Sequence, residues 1–152
     1  MTNANYDLKA TEIEEDIIRF IQEYINEIFV TLKNKYPEIT IINKNNNTHI
    51  FEFRPLEVTN MIDNLIHNAK KAKAKNINFT FSKQENNLEI KISDDGVGIP
   101  KENIEKIFDF GYTSTDGSGI GLYIVKKSVE NMKGRIEVVS KENKGTTFKI
   151  TI

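Results

Sequence analysis

Apolar residues recur at helical spacing in the first part of the chain. Across residues 11–36, every third or fourth position is apolar, at Ile13, Ile17, Ile21, Tyr24, Ile28 and Leu32. This pattern predicts one long helix, which Pro37 is expected to end. Further apolar residues fall on its other sides, so the helix packs either against a second chain or absent segment, or over the domain's own sheet.

From residue 77 onward, short segments alternate apolar and polar residues with a period of two, as half-buried strands do. The apolar positions are Ile77, Phe79 and Phe81, then Leu88, Ile90 and Ile92, then Ile136 and Val138, then Phe148, Ile150 and Ile152. Two shorter strands, at residues 39–43 and 49–53, are joined by an Asn-rich turn. The tight turns at 85–87 and 141–145 favour an α/β (α+β) two-layer sandwich with a mixed, mostly antiparallel sheet and helices on one face.

A second helix, around residues 58–72, carries two different surfaces. Val58, Ile62, Leu65, Ala69 and Ala72 share one apolar face. Beside it, three asparagines and a lysine fall within an arc of about 80° at 3.6 residues per turn; they are Asn60, Asn64, Asn68 and Lys71. Asparagine is a mediocre helix former, so this margin is either a solvated face or part of a binding site.

Composition excludes several classes of protein. The chain has 152 residues, 38% hydrophobic and 28% charged, which fits one globular domain with a core. Its net charge of -1 does not favour nucleic acid or an anionic membrane, and the lysines at residues 70–75 are typical of a solvated face. There are no cysteines, which excludes disulfides and Cys-ligated metals. No signal peptide or membrane span is predicted.

Two glycine clusters follow the asparagine helix. The first contains Asp94, Gly96 and Gly98, and the second contains Gly117, Gly119 and Gly121 ahead of a further helix. Either cluster alone would most often mark a tight turn. The ordered combination of an asparagine helix, a carboxylate before Gly-x-Gly and a Gly-x-Gly-x-Gly helix start predicts an ATP pocket. A P-loop is excluded by the missing Gly-Lys-Ser/Thr, and a dinucleotide fingerprint by the glycine spacing.

Over residues 39–152, the chain resembles the catalytic ATP-binding domain of bacterial sensor histidine kinases. These belong to the GHKL superfamily, with gyrase, heat-shock chaperone and mismatch-repair ATPases. Residues 64–71 match the family's N box, and residues 94–98 match its first glycine box. Residues 107–113 resemble the F box, residues 117–122 are similar to the second glycine box, and residues 145–148 match the closing strand.

The resemblance implies a role for each matching residue. Asp94 would accept a hydrogen bond from the adenine amino group, with Thr146 making a second, water-mediated contact. Gly96 and Gly98 would let the backbone pass the base. Asn68 would be the one protein ligand of Mg²⁺, and Lys71 would neutralise phosphate charge. The other implied nucleotide contacts are Asn64, Ile99, Tyr112, Thr113, Ser114, Gly117, Ser118, Gly119, Ile120, Gly121 and Leu122, and residues 108–118 would form the ATP lid.

Asn64 indicates whether hydrolysis or phosphoryl transfer is expected. The resemblance implies Asn68 and Lys71 as the other catalytic residues. ATPase branches of the superfamily have a glutamate at this place, and a carboxamide is not a useful general base. The expectation is slow hydrolysis and transfer of the γ-phosphoryl group to a histidine of a dimerisation domain absent from this chain, and from there to a response regulator. Neither His49, predicted to lie at the surface, nor His67, predicted to be a solvated neighbour of the pocket, has the acceptor's context.

The expected division places an N-terminal helix at residues 1–37, as the end of a dimerisation hairpin or a linker, and the ATP-binding domain at residues 38–152. The full-length protein would be a homodimer, with this part in the cytoplasm whether or not the whole is membrane-anchored. No nucleic-acid or membrane contact by the domain itself is expected. The alternative is an ATP-gated protein-interaction module without phosphoryl transfer.

Overall fold

The structure, a computed structural model, describes residues 11–32, 34–112 and 119–152. Its helices are α1 (Ile17–Ile28), α2 (Pro55–Lys71) and α3 (Gly121–Asn131), with a 3₁₀ helix at Lys101–Lys106. Its strands are β1 (Ile13–Asp16), β2 (Glu38–Ile42), β3 (Ile50–Phe53), β4 (Asn76–Gln84), β5 (Asn87–Asp94), β6 (Arg135–Lys141) and β7 (Gly145–Thr151).

Five strands form the main sheet, in the order β2-β4-β5-β7-β6. The pair β2 and β4 is parallel, and the other neighbours are antiparallel. Strands β1 and β3 form a separate antiparallel pair, so the Asn-rich turn joins strands of two different sheets. The predicted mixed, mostly antiparallel sheet is confirmed.

The core lies between one face of the main sheet and the helices. Alternate residues of β4, β5 and β7 are buried, and the apolar face of α2 covers them; Ile77, Phe79, Phe81, Leu88, Ile90, Ile92, Phe148, Ile150, Val58, Ile62, Leu65 and Ala69 are each at most 3% exposed. The period-two pattern therefore located the inward face of each strand, and the helical pattern located the inward face of α2.

The prediction of one helix over residues 11–36 is wrong at both ends. Its first turn is strand β1, which pairs with β3, and the helix starts only at Ile17. The carboxylate of Asp16 caps α1 by accepting from the Ile18 N–H at 3.1 Å, and it also accepts from the His49 N–H at 3.0 Å. Helix α1 ends at Ile28, well before Pro37. Pairing with a strand distant along the chain overrides the local helical periodicity here.

Helix α1 covers the chain's own core. Ile17, Ile18, Ile21 and Ile25 are at most 1% exposed and belong to the same buried cluster as the sheet. These residues therefore pack over the domain's own core, as one of the two alternatives predicted, whereas Ile28 is 41% exposed and is not covered by it. The division of the chain at residue 37 and the dimerisation hairpin remain predictions. We find no helix with the length and apolarity of a bilayer span in the described parts of the chain.

The expected surface position of His49 is wrong. Its side chain is 6% exposed and stacks on Phe51 with ring centroids 5.4 Å apart. The backbone explains why: the His49 carbonyl accepts from the Ile17 N–H at 3.0 Å, which holds this segment against the start of α1. His67 is exposed, as predicted, and its Nδ1–H donates to the Asp63 carbonyl at 2.7 Å while its Nε2 faces the Tyr36 hydroxyl at 3.2 Å.

Candidate functional site

Asp94 ends strand β5 at a position that faces the core. It continues the inward row of Leu88, Ile90 and Ile92, so a half-buried carboxylate stands where the strand's apolar face stops. Its Oδ1 accepts from the Gly96 N–H at 2.8 Å. Burial raises the pKa of Asp94, and the backbone N–H groups of Gly96 and Thr146 oppose that rise only in part. The net effect is a desolvated acceptor held in place by the backbone.

A row of polar side chains crosses the sheet at this level. Asp94 lies directly opposite Thr146 on β7, which in turn lies opposite Ser140 on β6. Thr146 is 5% exposed, and its Oγ1 is 2.8 Å from the Ser140 Oγ. Directly opposed residues of neighbouring strands point to the same face of a sheet, so the three side chains form one polar edge to the core.

Ser140 was not predicted from the sequence, although its position in β6 carries a signal for it. Ile136 and Val138 alternate along β6, and one further step of two reaches Ser140 on the same face. The Ser140 Oγ also accepts from the Ile99 N–H at 2.8 Å. Ser140 therefore connects the strand row to Ile99 in the first glycine loop, and Ile99 itself is half-buried.

Gly96 and Gly98 are required by the protein's own packing. A Cβ on Gly96 would lie 2.7 Å from the Ala72 carbonyl oxygen and 2.8 Å from the Ala72 Cβ, at the end of α2. Gly98 has a φ of +74°, and a Cβ there would overlap the Lys141 carbonyl. This packing gives a reason for the two glycines within the protein itself, and the expectation that they also let the backbone pass a base stays a prediction.

Backbone hydrogen bonds fix the first glycine loop on both sides. The Val97 N–H donates to the Ala72 carbonyl at 2.9 Å, and the Val97 carbonyl accepts from the Asn143 N–H at 2.6 Å. The loop is therefore held between the end of α2 and the turn that joins β6 to β7.

The second glycine motif meets the same helix, α2, at Asn64. The Asn64 Nδ2 donates to the Asn60 carbonyl at 2.8 Å, and its Oδ1 would be 3.0 Å from a Cβ on Gly121. Gly121 is the first residue of α3, whose N-terminus has no side-chain cap. The N–H groups at such an end, with the positive end of the helix dipole, suit an anionic group such as a phosphate.

Helix α2 thus sets the distance between the two glycine motifs. Ala72 contacts the first and Asn64 contacts the second, and eight residues of helix separate them by about 12 Å. This span is comparable with that between the base and the terminal phosphate of a nucleotide. Asn68 lies midway between them and is half-buried, and Lys71 is exposed one turn further on.

A metal bound here would have few protein ligands. No group of three or more His, Asp or Glu side chains that could hold a metal is found within the described ranges. The chemistry of Asn68 fits a hard cation that keeps water and phosphate oxygens as its other ligands, because a carboxamide supplies one neutral oxygen.

The segment that would form the lid is closed at its base. The Gly111 N–H donates to the Gly119 carbonyl at 2.9 Å, and Gly119 adopts a φ of +71° against Gly111. Tyr112 and Leu122 are partly buried against the core, and Ile120 is the N-cap residue of α3. Four predicted contacts, Thr113, Ser114, Gly117 and Ser118, lie outside the described residues.

A cavity of about 680 Å³ lies elsewhere, beside the segment between α1 and β2. Its walls include Phe29, Tyr36 and Lys70, and none of the motif residues that meet α2. The cavity and the region of the glycine motifs are the two candidates for a nucleotide site. The cavity lining includes neither the polar row that begins at Asp94 nor a helix N-terminus, whereas the glycine motifs lie beside both.

The fold and the site together define an ATP-binding domain built on a two-layer sandwich. The sequence profile of the family described as "Histidine kinase-, DNA gyrase B-, and HSP90-like ATPase" matches residues 54–152. The chain belongs to this family, which confirms the resemblance seen in the motifs.

Curated relatives include sensor kinases. The chain is 34% identical to the sensor protein kinase WalK of Staphylococcus aureus over an alignment of 158 residues, which covers 96% of this chain. WalK of strain JH9 matches to the same degree. The chain spans 38% of the length of the first of these proteins and 26% of the second.

Solved structures share the fold. The catalytic domain of the histidine kinase ThkA superimposes with a TM-score of 0.78 at 24% identity, covering 93% of this chain and 97% of that domain. The mycobacterial sensor histidine kinase MprB gives a TM-score of 0.73 at 20% identity, with 93% and 95% coverage. At these identities, the likeness shows the architecture alone.

Proposed function

We propose that this chain binds Mg-ATP and is the catalytic domain of a two-component sensor histidine kinase. It would transfer the γ-phosphoryl group to a histidine of a dimerisation domain that lies outside this chain, and a response regulator would receive the group next. The observation that carries this proposal is the convergence of both glycine motifs on α2, with Ala72 at one and Asn64 at the other. The WalK relatives support the kinase assignment.

The adenine end of the site would be the row of Asp94 and Thr146, with the half-buried Ile99 beside the base. Asp94 is an acceptor, so it suits the amino group of adenine and disfavours the carbonyl that guanine carries at the same position. A buried acceptor left without a donor costs about 1 to 3 kcal/mol, which is enough to select ATP over GTP.

The phosphate end would be the margin of α2 together with the start of α3. Asn64, Asn68 and Lys71 would face the triphosphate, with the backbone of residues 117–122 donating N–H groups and Tyr112, Thr113 and Ser114 completing the lid. Asn68 would hold Mg²⁺ through its side-chain oxygen, and the bound ion would neutralise phosphate charge during transfer.

Asn64 favours transfer over hydrolysis. A carboxamide cannot take a proton from an attacking water, and here the Asn64 amide nitrogen is already engaged with the Asn60 carbonyl at 2.8 Å. We expect slow intrinsic ATP turnover. Purified protein that hydrolysed several ATP molecules per second without an acceptor would contradict this assignment.

The wider context of the chain belongs to the same proposal. Residues 38–152 would be the ATP-binding domain, with residues 1–37 leading to it from a dimerisation hairpin or linker. The full-length protein would be a homodimer with this part in the cytoplasm, and the domain would contact neither nucleic acid nor membrane.

Nucleotide binding is tested most simply by thermal unfolding. ATP with Mg²⁺ at 100 times its dissociation constant should stabilise the folded state by about 2.7 kcal/mol. GTP at the same concentration should stabilise it much less. Equal shifts with both nucleotides, or none, would contradict the assigned base site.

Phosphoryl transfer is tested with γ-labelled ATP and a separately expressed helical hairpin that carries the acceptor histidine. A kinase labels the hairpin, and labelling should stop when that histidine is replaced or when Asn68→Ala is used. Saturable ATP binding with no labelling would instead indicate the ATP-gated interaction module.

A further inference from the structure

The Ser140 hydroxyl lies where three polar groups meet at the edge of the sheet. Its Oγ is 2.8 Å from the Ile99 nitrogen, 2.9 Å from the Gly145 carbonyl oxygen and 2.8 Å from the Thr146 Oγ1. Two of these groups have fixed roles, because a backbone N–H can only donate and a carbonyl oxygen can only accept.

One hydroxyl proton cannot be donated to two acceptors, and this determines the direction of the hydrogen bond between Ser140 and Thr146. If the Ser140 proton goes to the Gly145 carbonyl, Thr146 has to donate its own proton to Ser140. The Ser140 oxygen then accepts from both Ile99 and Thr146, so its donor and its two lone pairs are all used. If the Ser140 proton were donated to Thr146 instead, the Gly145 carbonyl would lose its hydrogen bond from Ser140.

This arrangement determines whether the Thr146 hydroxyl is a donor or an acceptor toward its other neighbours. With its proton directed at Ser140, Thr146 retains only lone pairs, and it lies directly opposite the acceptor Asp94 on β5. Two acceptors side by side match an exocyclic amino group, and they repel a carbonyl oxygen at the same place. Thr146 is 5% exposed, so water can compensate little of that repulsion.

We propose that Ser140 is a specificity-determining positioning residue that makes Thr146 an acceptor and so strengthens the choice of adenine over guanine nucleotides. This rests on the proposed function, because it assumes that the base lies beside Asp94 and Thr146. Ser140 itself need not touch the nucleotide.

The experiment measures the inhibition constants of ATP and GTP, each with Mg²⁺, by competition against a fluorescent ATP analogue bound to the full chain. In Ser140→Ala, Thr146 loses its acceptor and can donate toward the base. The ratio of the GTP constant to the ATP constant should fall by about tenfold, the size expected for one buried unsatisfied acceptor. Ser140→Thr keeps a hydroxyl and should keep the wild-type ratio.

Ser93→Ala is the matched control. Ser93 and Thr147 form an equivalent hydroxyl pair at 2.8 Å across β5 and β7, on the other face of the sheet. Its loss removes the same kind of contact without touching the row beside Asp94, so the nucleotide ratio should not change.

Thr146→Val provides a second route to the same answer. It should lower the ratio by itself, and adding Ser140→Ala in that background should change nothing further. If Ser140→Ala does not fold, Thr146→Val alone decides: an unchanged ratio overturns the proposal.

Equal weakening of ATP and GTP in Ser140→Ala also overturns it, because that is the signature of a merely structural role. If ATP fails to displace the analogue from the wild-type chain, it is the proposed function that fails.

Discussion

The side-chain oxygen of Asn64 lies 3.0 Å from the place that a Cβ would occupy on Gly121. The absence of a side chain at the first residue of α3 therefore lets the asparagine helix and the second glycine motif touch. This contact lies between the proposed phosphate site and the helix that carries Asn68, and the geometry permits a test of it.

Gly121→Ala should separate stability from binding. The helical start of α3 accepts alanine, which should leave the free energy of unfolding unchanged or raise it by about 0.5 kcal/mol. The new methyl group should displace the Asn64 carboxamide and weaken ATP binding by roughly fivefold, about 1 kcal/mol. Calorimetric titration and chemical denaturation measure the two effects. In an Asn64→Ala background the loss of affinity should disappear, and its persistence would show that Asn64 does not transmit it.

Asp94 and its neighbour Asp95 should give opposite results when each is changed to asparagine. Asp94→Asn removes a desolvated charge, so we expect undiminished stability and at least tenfold weaker ATP binding. Asp95 is exposed and accepts from the Lys75 and Asn76 N–H groups at 2.7 and 2.9 Å, which lowers the pKa of its carboxyl. Asp95→Asn should therefore reduce stability and leave ATP affinity unchanged. A loss of ATP affinity in the Asp95 variant alone would reverse the assignment.

The affinity for ATP should fall in mildly acidic solution. Burial raises the pKa of Asp94 above its usual value of 3.8. As the pH falls toward that raised pKa, the carboxylate gains a proton and becomes a weaker, uncharged acceptor, so binding weakens at a higher pH than an ordinary aspartate would give. Dissociation constants measured as the pH is lowered from neutral should show this fall. In Asp94→Asn the same stretch of the profile should be flat after correction for protonation of the nucleotide.

Asn68→Ala should abolish the Mg²⁺ dependence of ATP binding, because it removes the one expected protein ligand. Binding is compared in the presence of Mg²⁺ and of a chelator. Asn60→Ala is the control: Asn60 is an exposed residue of the same type on the same helix, and the contact that Asn64 makes is to its backbone carbonyl. The control variant should keep the dependence on Mg²⁺, and a wild-type response in Asn68→Ala would exclude Asn68 as the ligand.

His49 should make stability depend on pH. Burial, with the charge of Lys83, lowers its pKa from 6.5, so the folded state holds the neutral ring while the unfolded chain protonates. Stability is therefore complete above about pH 6.5 and should fall as the pH drops from there toward the lowered pKa. His49→Phe should flatten this dependence in urea denaturation, and Lys83→Met should reduce it. A steeper fall in His49→Phe would show that other groups are responsible.

The alternating strands and the apolar face of α2 were predictable because each depends on a local period. Ile90 and Ile92 face inward for the same reason that they alternate with polar residues. The first strand was not predictable: Ile13 fits a helical pattern, and only its register opposite Phe53 makes it part of a strand. Burial of His49 was missed for the same reason, since its cause is a backbone contact with Ile17.

The candidate site was predictable as a set of motifs and less so as a mechanism. Asp94, Asn64 and Asn68 were found from residue type and order. The reasons for Gly96 and Gly98 came only from the structure, because their neighbours, Ala72 and Lys141, are distant from them along the chain. Ser140 gave a periodic signal, but its hydroxyl acquires a role only through Ile99 and Thr146.

The amino-acid sequence by itself determined the two-layer architecture and the family, since these follow from periodicity and from ordered motifs, and the residues that would bind a nucleotide stay a prediction from the resemblance. The tertiary structure decided that the N-terminal segment divides into a strand and a shorter helix, that α2 spans both glycine motifs, and that Ser140 contacts both Ile99 and Thr146. These features depend on contacts between residues distant along the chain, whose energies no local pattern contains.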